Sequence, residues 1–285
     1  MAVGDINLTS AMRSNLTSLQ QTASLLDRTQ LRLSTGKKVN SAVDNPTSYF
    51  AAKAHETRAD LLSGLKDNIS EAIQTIKAGD AGVKAISSSL EQLRGLVTQA
   101  RTALNDTVNS ATTLASLTTQ YNELVRQINN LTTDSSYKGV NFLSGGTTTV
   151  NFNENATTKL TITGFNSSAS GLALQGGTAT GSGTLASTDI DTATELDTIE
   201  GQINTALATL QSESSKLASN LGILTTRDTF ISDQINTLVT GAAKLTNADT
   251  NEEGANMLAL QTRQQLGVTS LSLAAQALQG VLRLF

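Results

Sequence analysis

The fold of this chain is decided by residues 62–104, which read LSGLKDNISEAIQTIKAGDAGVKAISSSLEQLRGLVTQARTAL. Apolar residues recur every three or four positions, at Leu62, Leu65, Ile69, Ala72, Ile76, Gly79, Val83, Ile86, Leu90, Leu93, Val97, Ala100 and Leu104. Such a heptad repeat predicts a helix that packs as a coiled coil. A helix of this span would be about 65 Å long at roughly 1.5 Å per residue, which is longer than a compact domain needs.

Both ends of the chain carry similar repeats. The first comprises Met12, Leu16, Leu19, Ala23, Leu26, Gln30 and Leu33. The second comprises Met257, Leu260, Gln264, Gly267, Leu271, Ala274, Leu278, Val281 and Phe285. Two such stripes are most simply buried against each other, which predicts a terminal helix pair formed as the chain folds back on itself. Local pairing between neighbouring helices is the alternative.

The centre of the chain has a different character. A shorter helix is predicted through Leu114 and Leu131, and a second long helical region through Leu196 and Leu245, where Ser214 and Asp228 interrupt the apolar repeat. Residues 144–194 between them are rich in Gly, Ser and Thr and contain the strand-like pieces TTTVNF and KLTITGF. The predicted fold is therefore mainly α, a long antiparallel coiled-coil or helical-bundle rod with a terminal helix pair and a small central β-hairpin and loop region.

Composition excludes several classes of protein. The 285 residues carry a formal net charge of -4 without a basic run, which argues against binding to nucleic acid or anionic membranes. No run of about 18 apolar residues exists, so we expect no membrane insertion. The chain has no cysteine, so disulfides and thiolate metal sites are absent, and the N-terminal residues do not resemble a cleaved signal peptide.

Catalytic motifs find no support, and we expect neither an enzyme nor a bound cofactor. The single histidine, His55, excludes a HExxH zinc site, and no nucleophile elbow accompanies it. LSTGKKVN, residues 33–40, lacks the flanking residues of a phosphate loop. DTNEEG, residues 249–254, has Leu260 where a calcium loop needs Glu, and it is interpreted instead as the acidic start of a helix.

The last predicted helix has more apolar side chains than one partner helix can cover. Outside its heptad stripe lie Leu258, Leu266, Leu273, Leu282 and Leu284. A fully buried Leu contributes roughly 1.5–3 kcal/mol, so leaving several in water forfeits much stabilisation. We therefore predict a subunit whose ends become ordered when they pack among copies of themselves.

Three motifs resemble bacterial flagellins. They are RLSTGKKVNSAVDN (Arg32–Asn45), YKGVNFL (Tyr137–Leu143) and the C-terminal segment that begins ADTNEEG at Ala248 and ends at Phe285. The resemblance covers roughly residues 1–143 and 195–285. It implies a structural subunit that polymerises into the extracellular flagellar filament for motility.

The resemblance also implies a domain plan. Residues 1–44 and 248–285 would form an inner helix pair in the filament core, residues 45–143 and 195–247 the helical rod domain, and residues 144–194 a variable region. The implied polymerisation interface comprises Met12, Leu16, Leu19, Leu26, Leu33, Leu271, Leu278, Val281, Leu282, Leu284 and Phe285.

Partners follow from the same resemblance. Flagellins leave the cell unfolded through the flagellar type III exporter, are shielded by an export chaperone, and meet hook-associated junction and cap proteins. A hook–filament junction protein, which resembles flagellin at both ends, is the nearest alternative. A non-flagellar secreted coiled-coil protein and an enzyme carried on a filament are more distant ones.

Two departures from the family pattern stand out. Asn45-Pro46 replaces a common Asp-Ala pair, and Pro46 is expected to restart a helix there. In SLEQLRGLVTQA, residues 89–100, Arg94 matches the element that resembles an innate-immune receptor epitope, whereas Gln92 and Gly95 replace the charged Arg and Glu of stimulatory relatives. We therefore expect receptor recognition to be weak.

Overall fold

The computed structural model describes residues 10–106, 110–174, 185–186 and 190–282. Within them it contains five α-helices and one antiparallel pair of strands. In chain order the elements are α1 (Ser10–Thr35), α2 (Pro46–Ala103), α3 (Ser110–Asp134), β1 (Thr147–Asn151), β2 (Lys159–Thr163), α4 (Ala193–Thr246) and α5 (Thr250–Leu282). The prediction of a mainly α fold with a small central hairpin is confirmed.

Side-chain caps set where the helices begin. α2 begins at Pro46, as predicted, because proline is tolerated in a first turn, and Asn45 Oδ1 accepts a hydrogen bond from Ser48 N at 3.0 Å. The acidic segment that starts at residue 249 also opens a helix as predicted. Asp249 Oδ1 accepts a hydrogen bond from Asn251 N at 2.9 Å, so this side chain caps α5.

The chain divides into two compact units. The first comprises residues 1–59 and 236–285, and its described part contains α1, α5, the beginning of α2 and the end of α4. The second comprises residues 60–235, with the remainder of α2 and α4, α3 and the hairpin.

The second unit has a mainly aliphatic core. The fully or almost fully buried side chains of α2 are Leu62, Ile69, Ala72, Ile76, Val83, Ile86, Leu90, Leu93, Val97 and Ala100. Those of α4 within this unit include Leu196, Ile199, Ile203, Leu210, Leu217, Leu224 and Ile231. These positions confirm the predicted repeats, while Leu65 and Leu104 are only half-buried.

Gly79, the one position of the α2 repeat without a side chain, packs against an aromatic ring. A Cβ at this position would lie 3.5 Å from Cδ2 of Phe142, which is itself fully buried. Phe142 also anchors the base of the hairpin, since its carbonyl accepts a hydrogen bond from Phe165 N at 2.8 Å. A Cβ at position 79 would thus be in ordinary contact with this ring, whereas a larger side chain would press against it.

The strands β1 and β2 coincide with the two strand-like pieces predicted from the sequence. Their register pairs Thr147 with Thr163 at one end and Asn151 with Lys159 at the other. Val150 and Ile162 are buried while their neighbours in the strands are half-buried or exposed, which places one face of the hairpin against the helices.

Polar contacts join α2 and α4 within the second unit. Arg101 Nη2 lies 2.7 Å from Asp197 Oδ1 and 2.9 Å from Glu200 Oε2. Ser214, one of the two polar breaks in the α4 repeat, donates a hydrogen bond to Asp80 Oδ1 at 3.2 Å. The other break, Asp228, is different, because its Oδ1 is buried and has no hydrogen-bond partner.

None of the described helices is long and apolar enough to cross a membrane.

Candidate assembly surface

Helices α1 and α5 pack against each other in antiparallel directions. Near the start of α5, Arg32 Nη1 lies 2.8 Å from Glu253 Oε1. Fourteen residues further along α5, a Cβ built on Gly267 would lie 2.7 Å from Cδ2 of Leu19. From the first contact to the second, the residue number rises in α5 and falls in α1, as in an antiparallel pair. The predicted terminal helix pair is therefore confirmed.

A short strand-like pairing closes this pair at one end. Lys38 N and Val39 N both donate to the carbonyl oxygen of Thr246, at 2.7 and 3.2 Å. On the neighbouring residues, Ala248 N donates to Gly36 O at 2.9 Å. The connectors that follow α1 and precede α5 therefore share backbone hydrogen bonds, which fixes the register of the two helices.

The Arg32–Glu253 pair reinforces that register. Glu253 is only 7% exposed, whereas the Arg32 side chain remains partly open to water. A buried carboxylate needs such a partner because removing a charge from water without one is costly. The pair therefore makes this alignment of α1 and α5 more favourable than a shifted one.

The predicted interface residues divide into three groups. Met12 is buried, Leu16 is exposed, and Leu19, Leu26, Leu33 and Leu271 are half-buried. Leu278, Val281 and Leu282 lie within α5, but their side chains fall outside the described part of the structure. Leu284 and Phe285 lie outside the described residues altogether. Of the interface residues whose side chains are described, all except Met12 therefore keep some of their surface open to water.

A second apolar surface on α5 faces water. Leu258 and Leu266 are each 66% exposed and Leu273 is 62% exposed, and all three were singled out by the sequence as side chains that one partner helix cannot cover. Val268, at 54% exposed, lies on a different side of α5, and the sequence analysis did not single it out. Large exposed apolar surfaces of this kind mark sites of interaction.

The contacts of α1 also depart from its heptad stripe. Thr22 and Thr29 are buried, whereas Leu25 and Leu31, which the stripe omits, are exposed. Thr22 tolerates burial because its hydroxyl donates to Ser18 O at 2.9 Å. The sequence pattern gave no signal for these positions, since threonine is polar and the apolar stripe lies one residue away.

Three kinds of feature could indicate a metal-binding or catalytic site among the residues that the structure describes: acidic and histidine clusters, His55, and two loop motifs. These residues contain no group of three or more His, Asp or Glu side chains placed to hold a metal ion. His55 is half-buried, and its Cδ2 lies 3.9 Å from the position of a Cβ on Gly241. LSTGKKVN contributes backbone groups to the connector that follows α1, and DTNEEG contributes the Asp249 cap of α5.

The epitope-like element lies on the exposed side of α2. Gln92, Arg94 and Gly95 are all exposed, and Arg94 Nη1 lies 3.5 Å from Glu91 Oε2. Gln92 and Gly95 line an open groove between α2 and α3. A Cβ added at Gly95 would meet no atom within 4 Å, so this position accommodates a larger side chain.

Paired helical ends, an aliphatic core and an apolar surface left in water are typical of a structural subunit. The family model described as the bacterial flagellin N-terminal helical region matches residues 6–148, and the one described as the bacterial flagellin C-terminal helical region matches residues 200–285. The chain belongs to the bacterial flagellin family, as the motifs predicted, and is a structural subunit of the flagellar filament. The family is one of structural proteins.

Full-length relatives agree with this assignment. Flagellin FljO of Caulobacter vibrioides is 32% identical over 286 residues, and the match covers 100% of both chains. A flagellin of Brucella melitensis is 30% identical, with 95% of this chain and 96% of the relative covered. The crystal structure of Bacillus cereus flagellin is similar with a TM-score of 0.46 and 23% identity, over 57% of this chain and 88% of that chain.

Proposed function

We propose that copies of this chain polymerise through the surfaces of α1 and α5 that the helix pair leaves open. The observation that carries the proposal is the exposure of Leu258, Leu266 and Leu273 on one helix. Burying each of them between subunits would contribute roughly 1.5–3 kcal/mol. The proposed interface comprises Leu16, Leu19, Leu26, Leu33, Leu271, Leu278, Val281, Leu282, Leu284 and Phe285, together with the exposed leucines of α5. Met12, which was also expected there, is already buried within the single chain.

The proposed domain plan follows the connectors between helices. Residues 1–44 and 248–285 form the inner helix pair, residues 45–143 and 195–247 the rod domain, and residues 144–194 the variable region. Asn45 caps α2 and Asp249 caps α5, so the inner boundaries fall where one helix has ended and the next begins. The backbone bonds between these two connectors support treating α1 and α5 as one body.

The partners proposed for this chain follow from the same open surface. Before assembly, the apolar side of α5 needs cover, which an export chaperone provides in the cytoplasm. The chain then passes unfolded through the flagellar type III exporter and joins an extracellular filament bounded by junction and cap proteins. The absence of cysteine is compatible with this route, because no disulfide has to form after export.

The test removes apolar surface without disturbing the helix pair. Leu266→Gln and Leu273→Gln each change a mostly exposed side chain, so the fold of the isolated chain should be preserved. Each substitution is expected to raise the critical concentration for polymerisation by about tenfold, since 1.4 kcal/mol corresponds to that factor. Sedimentation and electron microscopy of seeded protein measure the effect.

A matched control is Ser270→Gln, which adds the same amide at an exposed position of α5 without removing apolar surface. It should polymerise as the unmodified protein does. A further variant that lacks residues 271–285 should retain a helical rod domain and form no filaments. Normal filaments from this truncated chain would contradict the proposed interface.

Weak recognition by the innate-immune receptor is proposed for the element around Arg94. Gln92→Arg and Gly95→Glu together restore the charges of stimulatory relatives, and the open space at Gly95 admits the glutamate. The double variant is expected to activate receptor-bearing cells more strongly than the unmodified monomer. Strong activation by the unmodified monomer would overturn this proposal.

A further inference from the structure

Helix α3 holds the central segment of the chain through polar side chains. Asn129 Oδ1 accepts a hydrogen bond from Ala169 N at 2.9 Å, and Thr132 Oγ1 lies 3.1 Å from Ser167 Oγ. These two contacts fix the part of the segment that directly follows β2. A third contact, made by Asn122, holds a residue much closer to α4.

Asn122 forms two hydrogen bonds with the backbone of a single residue, Leu185. Its Nδ2 donates to Leu185 O at 2.9 Å, and its Oδ1 accepts from Leu185 N at 2.9 Å. An amide side chain offers both an acceptor and donors, so it satisfies the N–H and the C=O of one residue as a neighbouring strand would. The contact therefore recognises backbone conformation and places no demand on the side chain of Leu185.

The side chain of Leu185 is held separately by an apolar pocket. It is 3% exposed, and the pocket is formed by α2, α3, the start of α4 and the residues that precede it. Burial raises the pKa of the Tyr121 hydroxyl in the pocket wall well above its usual range, as expected where water is scarce. The pocket wall around Leu185 includes Leu96, Val97, Leu117, Tyr121 and Ile190.

We infer that Asn122 and this pocket form a docking site for an extended peptide that carries a leucine-sized aliphatic side chain, and that the chain's own Leu185 fills it. The backbone is recognised by the amide and the side chain by the pocket, which is how peptide-binding grooves divide affinity and specificity. All the residues involved belong to the second compact unit, so the inference does not depend on polymerisation through α1 and α5.

The first test measures hydrogen exchange of the Leu185 amide in the full chain. Asn122→Leu has a similar size but neither donates nor accepts, and it should accelerate exchange at Leu185 by at least about tenfold. The Ala169 amide, which is held by Asn129, should exchange at an unchanged rate. Asn130→Leu, at an exposed position of the same helix, is the matched control. Unchanged exchange at Leu185 in Asn122→Leu would overturn the inference.

The second test empties the site and offers a peptide from outside. Leu185→Ala removes the occupant, and the added probe is the nine-residue peptide GSGTLASTD, the sequence of residues 181–189. Methyl resonances of Leu96 and Val97 are expected to shift on titration of Leu185→Ala and not of the unmodified chain, whose site is filled. A peptide with alanine in place of its leucine should cause no shift.

The double variant Asn122→Leu, Leu185→Ala separates the two parts of the site. It keeps the pocket but lacks the amide, so the peptide should bind to it at least about tenfold more weakly than to Leu185→Ala. Equal binding by the two variants, or no binding by either, would overturn the inference. If Leu185→Ala fails to fold, the hydrogen-exchange measurement on the intact site still decides the matter.

Discussion

Gly267 of α5 approaches Leu19 of α1 so closely that a Cβ on the glycine would come within 2.7 Å of Leu19 Cδ2 and 3.1 Å of its Cγ. The absence of a side chain at position 267 therefore leaves the space that the Leu19 side chain occupies. Glycine inside a helix costs roughly 0.5–1 kcal/mol relative to alanine, and here the close packing of the terminal pair offsets that cost.

Gly267→Val is expected to weaken assembly. The branched side chain would displace the Leu19 side chain from its present position, and overpacking of this kind typically costs about 1–3 kcal/mol. The critical concentration for polymerisation should rise by roughly five- to a hundredfold. Sedimentation of seeded protein measures this change.

Gly254→Val is the control for helix propensity, because Gly254 lies in the same helix and a Cβ there would meet no atom within 4 Å. It should polymerise at close to the unmodified critical concentration. If the two valine variants behaved alike, the close approach at Gly267 would not matter for assembly.

The Arg32–Glu253 pair predicts a coupling between α1 and α5. Arg32→Ala leaves the nearly buried Glu253 carboxylate without this partner, and we expect filaments to lose about 1–3 kcal/mol of stability per subunit. Thermal dissociation of filaments formed by Arg32→Ala, Glu253→Ala and the double variant gives the coupling energy. Additive effects of the two substitutions would show that the pair contributes nothing beyond its members.

The exposed ion pair of Lys53 with Glu56 is the comparison for the Arg32 and Glu253 variants. Its nitrogen and oxygen are 3.4 Å apart and both side chains are well exposed. Lys53→Ala should therefore change filament stability by no more than about 0.5 kcal/mol.

Asp228 predicts a substitution that stabilises the second unit. Its Oδ1 is buried without a partner at a position of the α4 repeat flanked by the fully buried Leu224 and Ile231. Asp228→Leu should increase the free energy of unfolding by about 1–2 kcal/mol, because it removes an unsatisfied oxygen and extends the apolar seam. Urea unfolding followed by circular dichroism measures it.

Thr226→Leu adds the same side chain on the exposed side of α4 and should leave the free energy of unfolding nearly unchanged. A loss of stability in Asp228→Leu would mean that the carboxylate makes a favourable contribution at this position.

Asp44 predicts that the turn before α2 loosens in acid. Its Oδ2 accepts hydrogen bonds from Asn40 N and Ser41 N, each at 3.0 Å, and the backbone bonds from Ser41 and Asn40 lower the pKa of this carboxyl. A group whose pKa is lowered by folding stabilises the folded state above its unfolded pKa. That contribution is lost as the pH falls from about 4 through the folded value.

Amide resonances of Asn40 and Ser41 should therefore shift together as the pH is lowered from 6 to 2. Asp44→Asn should abolish this titration, because the amide oxygen does not ionise in that range. Shifts that persist in Asp44→Asn would assign the change to another group.

Local periodicity was sufficient to predict the elements of this fold. The repeat from Leu62 to Leu104 lies almost wholly within α2, Asn45-Pro46 and Asp249 mark helix starts, and TTTVNF and KLTITGF became β1 and β2. Each of these signals is contained within a few consecutive residues or one repeating interval, because helix and strand geometry impose fixed periods on the chain. The two terminal repeats also predicted the pairing of α1 with α5, although they left local pairing of neighbouring helices open.

Only the tertiary structure decided how closely those elements approach and what fills the gaps between them. Phe142 packs against Gly79, Gly267 admits Leu19, and Asn122 binds the backbone of Leu185. The members of each pair lie far apart in the sequence, and the number of residues between them does not determine their distance in space. Close packing and hydrogen bonding depend on those distances to within a few tenths of an ångström, so they exist only once the helices have been brought together.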